Sequence, residues 1–326
     1  MSDILIIGGA GYIGAQMAKR LQGTAHKAVV LDNLSSGHRW AVGDAEFIEG
    51  DMGDAALLDK LFGTRQFDAV MHFASSILVE ESVSDPGKYY DNNVARTVTL
   101  LNSMVRHGRM RFIFSSTAAV FGNPKTARIN ENHPMQPLNP YGQSKHMVEI
   151  MLRDYAAAGS LHYGVLRYFN AAGADPEGEM GECHDPETHL IPRVLQAASG
   201  RRKSITIFGE DYPTPDGTCV RDYIHIADLA EAHYLLLEYM ISGGKEVEFN
   251  LGTGQGYSVR EVIETARKVT GKEIPVENAS RRTGDPATLV ADGAKARRVL
   301  GWEPRYSDLE TIIRHAWGWE LSPRRA

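Results

Sequence analysis

The chain has 326 residues, of which 43% are hydrophobic and 23% charged, and its formal net charge is -6. This length predicts one large domain or two unequal ones, and the charge gives no indication of nucleic-acid binding. The two cysteines, Cys183 and Cys219, form no CxxC pair, so the sequence predicts a reduced compartment and no disulfide framework.

No targeting or membrane segment is predicted. No basic region precedes the short apolar run "ILII" near the N-terminus, so a signal peptide is not expected. No apolar stretch reaches the about 18 residues that crossing a bilayer requires. The cytoplasm is therefore the expected location.

Apolar runs typical of buried strands alternate with helical patterns through the first half of the chain. The strand runs are "DILIIGG", "KAVVLDN", "AEFIEGD", "DAVMHFA", "RFIFSS" and "HYGVLRYFN". The helical stretches include "GYIGAQMAKRLQG", "DAALLDKLFG" and "DNNVARTVTLLNSMVRHG". This alternation predicts an α/β fold with a Rossmann-type, doubly wound parallel sheet covered on both faces.

The pattern changes after Gly173. The stretch "GADPEGEMGECHDPETHLIP" predicts a long functional loop, and "ADLAEAHYLLLEYM" predicts an amphipathic helix. We expect residues 1–173 to form the first domain and residues 174–326 to form mainly a smaller substrate-binding lobe. Segments of about 222–248 and 291–316 are expected to return to the first domain.

A glycine-rich loop joins the first predicted strand to the first helix. The segment "LIIGGAGYIG" satisfies Gly9-x-Gly11-x-x-Gly14 and also Gly8-x-x-Gly11-x-x-Gly14. Such glycines allow a tight turn and close approach of a pyrophosphate to the helix N-terminus. Asp32 ends the second strand, where a carboxylate binds a ribose 2′-hydroxyl and repels a 2′-phosphate. The sequence therefore predicts NAD binding in preference to NADP; the alternative is a purely structural glycine turn.

Asp51 follows the third predicted strand and has two interpretations. It would accept a hydrogen bond from the adenine amino group, or it would cap the helix of "DAALLDKLF". The sequence does not decide between them.

The segment "NPYGQSK" sets a phenol one helical turn before an ammonium. Asn139 and Pro140 are typical of an N-cap followed by the first helical residue, which places Tyr141 and Lys145 on one face. By itself this pair is often an ordinary helix surface. The end of the fifth strand changes that interpretation, because Thr117 lies at the carboxyl edge of a parallel sheet, where ligands bind.

With these residues the chain resembles the extended short-chain dehydrogenase/reductase family. The resemblance implies a catalytic triad of Thr117, Tyr141 and Lys145. A nearby ammonium stabilises a phenolate, so Lys145 is expected to lower the pKa of Tyr141 towards neutrality. The phenolate would then take a proton from a substrate hydroxyl while hydride leaves to NAD.

Within that family the chain resembles the UDP-glucose 4-epimerase group over nearly its whole length. The motifs are "GGAGYIG", "DNLSSGH", "YYDNNV", "NPYGQSK", "LRYFNAAGA", "GTCVRDYIH" and "RRTGDPATLVAD". The resemblance implies 4-epimerisation of a UDP-hexose through a 4-keto sugar. Relatives that dehydrate or decarboxylate nucleotide sugars carry an acid just after the triad hydroxyl; here Ala118 and Ala119 follow Thr117, which favours epimerisation.

The resemblance also implies contacts for both ligands. On the cofactor side these are Gly8, Gly11, Tyr12, Ile13, Gly14, Asp32, Asn33, Ser36, Gly37, Asp51, Met52, Phe73, Ala74, Asn92, Ser115, Tyr141, Lys145 and Tyr168. On the substrate side they are Thr117, Tyr141, Phe169, Asn170, His189, Leu190, Phe208, Arg221, Tyr223, Arg282, Asp285 and Leu289.

Individual substrate roles follow from the same resemblance. Arg221 and Arg282 would pair with the pyrophosphate, for which a guanidinium fork is better suited than an ammonium. Asn170 would bind the nucleotide diphosphate, Phe208 would pack the uracil and Asp285 would hold the ribose. The alternative for the two arginines is solvated surface charge.

Two positions depart from the resemblance. Ile77 stands where several members carry a lysine that touches the NAD phosphates. Leu289 stands where some members carry a bulky tyrosine that excludes N-acetylated sugars, so UDP-N-acetylglucosamine becomes an alternative substrate, alongside UDP-xylose and UDP-arabinose. A further alternative is a regulator that binds NAD without turnover, which would have no need of an intact triad.

Two other interpretations concern metals and assembly. The segment "GECHDPETH" is dense in metal-ligating residue types but fits no standard zinc spacing, so a substrate-covering loop without metal is expected.

A homodimer through the helices around Asn92–His107 and Tyr141–Tyr155 is implied by the resemblance; alternatively, these helices pack within one chain.

Overall fold

Strands and helices alternate through the first half of the chain in the computed structural model, which describes residues 2–282 and 285–322. In order they are β1 (Ser2–Ile7), α1 (Tyr12–Leu21), β2 (His26–Asp32), β3 (Glu46–Glu49), α2 (Ala55–Thr64), β4 (Ala69–His72), α3 (Val79–Ser84), α4 (Pro86–Tyr89), α5 (Arg96–Arg106), β5 (Arg111–Thr117), α6 (Pro140–Ala157), β6 (His162–Tyr168) and β7 (Asn170–Ala172). A π-helical turn, Tyr90–Ala95, leads into α5.

The second half continues with shorter strands. In order its elements are α7 (Leu190–Ala198), β8 (Ile205–Phe208), β9 (Val220–His225), α8 (Ile226–Ile241), β10 (Val247–Leu251), β11 (Gly256–Ser258), α9 (Val259–Thr270), β12 (Val276–Ala279), β13 (Thr288–Leu289), α10 (Ala294–Leu300) and α11 (Leu309–Glu320). Within the described ranges, no helix combines the length and the apolar character that a bilayer span demands.

Seven of the described strands form one parallel sheet in the order β10-β6-β5-β4-β1-β2-β3. The predicted α/β fold with a Rossmann-type parallel sheet is therefore confirmed. The order reverses direction at β1, since β2 and β3 continue on one side while β4, β5 and β6 continue on the other. Such a switch point opens a crevice at the carboxyl edge of the sheet.

The apolar run of β1 explains why both faces of this sheet are covered. Ile4 and Ile6 belong to one hydrophobic cluster, whereas Leu5 and Ile7 belong to another. All four side chains are at most 1% exposed. Because successive residues of a strand point to opposite faces, a continuous apolar run requires helices on both sides.

A smaller lobe packs at the carboxyl edge. Its strand β9 pairs with β7, β11 and β13, while β8 and β12 form a separate parallel pair. The helices α7, α9 and α11 share one apolar core there. Of the segments expected to return to the first domain, α8 packs on α1, and α10 packs on α8 and β10. Helix α11, which covers the end of 291–316, packs instead with α7 and α9.

Candidate active site

The glycine loop leaves no room for side chains between β1 and α1. A Cβ added to Gly14 would lie 2.3 Å from the Gly8 carbonyl oxygen, and one added to Gly8 would lie 2.5 Å from the Ala74 nitrogen. Gly8 also has a φ of +78°, which favours glycine. Gly11 precedes α1 without a side-chain cap, so the first helical N–H groups are free to bind an anion.

Asp32 ties the end of β2 to this loop. Its Oδ2 accepts a hydrogen bond from the Ala10 nitrogen at 2.9 Å, and its Oδ1 accepts one from the Leu34 nitrogen at 2.8 Å. Each of the two carboxylate oxygens can accept a second hydrogen bond. The carboxylate is thereby held at the sheet edge where the ribose contact is predicted.

Replacing Asp32 by Asn should weaken NAD binding by roughly tenfold to a hundredfold, because charged hydrogen bonds of about 1.5–3 kcal/mol are lost. Fluorescence titration with NADH measures the change. The matched control is Asp54→Asn: Asp54 caps α2 through the Ala56 and Leu57 nitrogens, and Asn is an equally good cap. Equal NADH affinity in both variants would contradict the role of Asp32.

Asp51 does not cap α2. The N-cap is Asp54, so that alternative for Asp51 is wrong. Asp51 instead accepts hydrogen bonds from the Gly53 nitrogen at 2.7 Å, from Asn33 Nδ2 at 2.7 Å and from Arg96 Nη1 at 2.6 Å. The carboxylate thereby organises the loop that follows β3.

Thr117 and Tyr141 meet at the carboxyl end of β5. Thr117 is the last residue of the strand, and its Oγ1 accepts a hydrogen bond from the Ala119 nitrogen at 3.1 Å. Asn139 caps α6 by accepting from the Gly142 nitrogen at 2.9 Å, as predicted. A hydrogen bond to Thr117 lowers the pKa of Tyr141, but burial raises it more, so the net pKa lies above the ordinary value.

Lys145 is almost fully buried below this pair. Its Nζ donates to Ser75 Oγ at 2.7 Å and to the Ser115 carbonyl oxygen at 2.8 Å. Burial lowers the pKa of Lys145 to about 7, against the attraction of Glu149. In the protein alone the net pKa of Tyr141 is therefore not lowered towards neutrality, because burial outweighs the hydrogen bond to Thr117. The expected effect of the Lys145 charge on Tyr141 stays a prediction.

Lys145 should make folding stability depend on pH. Its pKa is about 7 when folded and 10.5 ordinarily, so between these values the unfolded chain keeps a proton that the folded chain releases. The free energy of unfolding should therefore rise with pH in this window, by at most about 1.4 kcal/mol per unit. Urea unfolding from pH 7 to 10 should show a shallower rise for Lys145→Met. The exposed Lys27 serves as the control, and a Lys27→Met protein should retain the wild-type slope.

Several residues that position the triad were missed from the sequence. Asn93 donates to Ser144 Oγ at 3.0 Å and accepts from the Ser76 nitrogen at 2.8 Å, joining the π-helical turn to α6. His233 Nε2 lies 3.1 Å from Ser115 Oγ. A signal was available for Ser75 and Ser76, which lie three and four residues after the end of β4, where ligands of a parallel sheet gather.

The remaining predicted cofactor residues lie around the same crevice. The Phe73 and Tyr168 rings contact the His233 ring, with centroids 4.9 and 6.2 Å away. Met52 Sδ lies 3.2 Å from His72 Nε2, and Asn92 Nδ2 donates to Asn93 at 3.0 Å. A cleft beside the glycine loop is lined by Gly11, Tyr12, Ser36, His38, Cys183 and His184. Ile13 lies in the first turn of α1, and Gly37 lies against Ala10.

The predicted substrate residues on β7, β9 and the following loop are linked to one another. Asn170 Nδ2 donates to the Asp222 carbonyl oxygen at 2.8 Å. Arg221 Nη1 donates to the Pro286 carbonyl oxygen at 2.8 Å, and its Nη2 donates to Asp285 Oδ1 at 3.4 Å. Tyr223 lies on β9, as Arg221 does, and is buried.

Two aromatic or apolar contacts complete the substrate side. The Arg282 guanidinium carbon lies 3.9 Å from the centroid of the Phe208 ring, where the positive charge meets the ring face. Phe169 and Leu289 pack in one small apolar cluster with Phe121 and Ile129. His189 is the N-cap residue of α7 and Leu190 begins that helix.

The loop between β7 and α7 closes against the glycine loop. Tyr12 Oη donates to the Gly173 carbonyl oxygen at 2.7 Å, and Lys19 Nζ donates to Asp175 at 2.7 Å. His38 Nε2 lies 2.9 Å from the Cys183 carbonyl oxygen. Residues near the N-terminus thus contact the loop that follows β7 beside the glycine loop.

A sequence model of the NAD dependent epimerase/dehydratase family matches residues 4–252. The chain belongs to this family. Among individual relatives, a UDP-glucose 4-epimerase of Halalkalibacterium halodurans is 52% identical over 316 residues, which cover 97% of this chain and 95% of that protein.

Solved structures of this epimerase/dehydratase family agree with the fold. A UDP-glucose 4-epimerase of Brucella ovis in complex with NAD has a TM-score of 0.96 and 49% identity, with 99% of each chain covered. The enzyme of Bifidobacterium longum in complex with NAD+ and UDP has a TM-score of 0.94 and 37% identity, again with 99% of each chain covered. The glycine cradle and uncapped α1 N-terminus of the present chain fit a dinucleotide.

Proposed function

We propose that this protein is an NAD-dependent UDP-hexose 4-epimerase that interconverts UDP-glucose and UDP-galactose. The observation that carries the proposal is the triad itself. Thr117 and Tyr141 meet at the carboxyl edge of the sheet, Lys145 is buried beside them, and the glycine loop lies across the same crevice. The relatives' names supply the substrate class.

Tyr141 would hold and move the proton of the sugar 4-hydroxyl. Thr117 hydrogen-bonds the phenol and would orient both hydroxyls. Bound NAD would supply a hydride acceptor and donor. Because Tyr141 has a raised pKa in the protein alone, a positive charge beside it is needed before the phenolate becomes a competent base. Lys145, held against Ser75 and the Ser115 carbonyl, is the chain's own source of that charge.

The residues after Thr117 favour epimerisation over elimination. Ala118 is buried, and the Ala119 backbone nitrogen donates to Thr117. Neither side chain can remove or donate a proton. A 4-keto sugar formed there would meet no acid or base at these two positions, so it would be reduced again rather than dehydrated.

The UDP moiety would lie along the smaller lobe. Arg221 and Arg282 would pair with its phosphates, and Phe208 would stack against uracil. Asp285 faces Arg221 and would contact the ribose.

Substitution of either Arg221 or Arg282 by Lys should raise KM more than it lowers kcat, because the arginines would bind the phosphates and not the reacting sugar.

Incubation of the purified protein with UDP-galactose tests the proposal. UDP-glucose should accumulate to an equilibrium that is reached from either sugar, without added reductant. A side-by-side panel should include UDP-N-acetylglucosamine, because Leu289 leaves more room than tyrosine, and UDP-xylose. NAD binding with no turnover of any sugar would instead favour the regulator, and turnover of another sugar alone would correct the substrate.

We further propose a homodimer through the helices around Asn92–His107 and Tyr141–Tyr155. Ile150 on α6, which is 43% exposed, would be covered in such a dimer. Light scattering should give the mass of two chains, and a single-chain mass would contradict the proposal. The cytoplasmic location remains a prediction from the sequence.

A further inference from the structure

Side chains from the loop before α7 converge on one point beside the glycine loop. They form the His/Glu cluster, which consists of Glu182, His184, Glu187 and His189. Each offers one ligand atom, and these four atoms lie within 4.8 Å of one another. Glu182 Oε1 lies 3.0 Å from His184 Nδ1 and 2.5 Å from His189 Nδ1, so two imidazoles share one carboxylate oxygen.

Glu187 carries an unsatisfied buried oxygen in this cluster. Its side chain is only 4% exposed. Its Oε1 accepts from the His189 nitrogen at 2.9 Å and lies 3.4 Å from His189 Nδ1. Its Oε2 is buried and has no hydrogen-bond partner among residues 2–282 and 285–322. A carboxylate oxygen left unpaired in the interior is costly, so Oε2 is available to a cation in addition to the His189 imidazole that Oε1 already faces.

The donor set suits one particular class of ion. Two imidazole nitrogens and two carboxylate oxygens are ligands of Zn²⁺, with bonds of about 2.0–2.2 Å in a tetrahedron. Ligand atoms in such a tetrahedron lie about 3.3–3.5 Å apart. This distance falls within the range of separations in the cluster, from 2.5 Å to at most 4.8 Å. Two carboxylates also balance the charge of a divalent ion.

The surroundings hold the cluster in place. The Glu182 carbonyl oxygen accepts from Trp319 Nε1 at 3.0 Å, which fixes the loop against α11. The His184 ring packs edge-on against Tyr12, with centroids 6.4 Å apart. Backbone and aromatic contacts of this kind orient metal ligands before the metal arrives.

We propose that the His/Glu cluster is a divalent-cation site of the zinc class, which fastens the loop before α7 to the glycine loop through Tyr12. The spacing of "GECHDPETH" matches no standard zinc pattern, which is why the sequence predicted no metal; the fold assembles the ligands from a non-helical loop. His189 is also a predicted substrate contact, so the test reads metal binding and not turnover.

Zinc binding to the full-length protein tests the site. After chelator treatment and dialysis against zinc, metal analysis should find one zinc per chain, and zinc should raise Tm. His184→Ala and Glu187→Gln should each weaken zinc affinity by at least about tenfold. Glu264→Gln is the control, because Glu264 lies on α9, outside both groups of metal-ligating side chains, and pairs with Arg267; its zinc affinity should equal that of the wild type.

Cobalt gives a second measurement that needs no variant. Co²⁺ bound to the wild-type protein should show the intense visible absorption of tetrahedral coordination, and zinc should abolish it stoichiometrically. The proposal is overturned if wild type retains no zinc, if both cluster variants bind zinc as tightly as the wild type, or if cobalt shows only the weak absorption of the hydrated ion. Any of these results would leave the cluster as an ion-paired loop anchor.

Discussion

Replacing Tyr141 by Phe is expected to lower kcat for UDP-galactose by about 10²–10⁴-fold, the usual contribution of a positioned acid–base group. The substitution removes one hydroxyl at the point where α6 meets Thr117 and leaves the aromatic ring in place. The Tyr89 ring, whose centroid lies 6.5 Å from that of Tyr141, still supports the Phe ring. KM and NAD content should change little, since the lost group acts on the proton.

The matched control lies on the same helix. Tyr155 donates through its hydroxyl to Asn102 Oδ1 at 2.6 Å, away from the triad. Tyr155→Phe should keep kcat within about twofold of the wild-type value. Coupled assay of UDP-glucose formation measures both variants. Near-full activity in Tyr141→Phe would reject the proposed proton transfer, whereas equal losses in both variants would point to a defect in α6.

Replacing Arg167 by Met should lower the free energy of unfolding by about 3–5 kcal/mol, the cost of leaving a buried charge without its partner. Arg167 lies on β6 and is fully buried. Its Nε and Nη2 donate to the two oxygens of Glu149 at 2.9 and 2.7 Å, and Nη2 also contacts Glu248. Glu149 Oε1 in turn accepts from Ser116 Oγ at 2.6 Å, next to Thr117.

Arg153 provides a control that separates burial from charge. It contacts the same two carboxylates, at 3.3 Å from Glu149 and 2.8 Å from Glu248, but its side chain is 37% exposed. Arg153→Met should cost no more than about 1 kcal/mol. Adding Glu149→Leu to Arg167→Met should restore part of the lost stability, because it removes the buried carboxylate that has lost its two-pronged partner. Urea unfolding measures all three, and equal losses for Arg167→Met and Arg153→Met would contradict the argument.

Local sequence patterns were sufficient for the elements that carry the triad. Continuous apolar runs predicted a sheet covered on both faces, because strand side chains alternate between faces whatever the rest of the chain does. Asn139 and Pro140 predicted the start of α6, because capping is decided within one helical turn. The same locality explains an error: Asp51 and Asp54 are both suitable caps, and sequence alone could not choose Asp54.

Contacts between distant segments were not predictable in this way. The sequence determined that Thr117, Tyr141 and Lys145 lie at one sheet edge, because strand ends and helix starts carry local signals. Only the tertiary structure showed that Ser75 and the Ser115 carbonyl hold the Lys145 ammonium. Burial raises the pKa of Tyr141 and lowers that of Lys145. Burial depends on packing from every side of a residue, so local sequence could not predict these pKa changes.

The loop before α7 also combines a feature that the sequence predicted with contacts that only the tertiary structure decided. Its residue types marked it as functional, but it has no helical or strand period from which side-chain directions could be derived. Folding against Tyr12 and Trp319 brought Glu182 and His189 together. Sequence thus determined the fold class and the chemistry available at the sheet edge, while tertiary packing decided which charges are buried, paired or left without a partner.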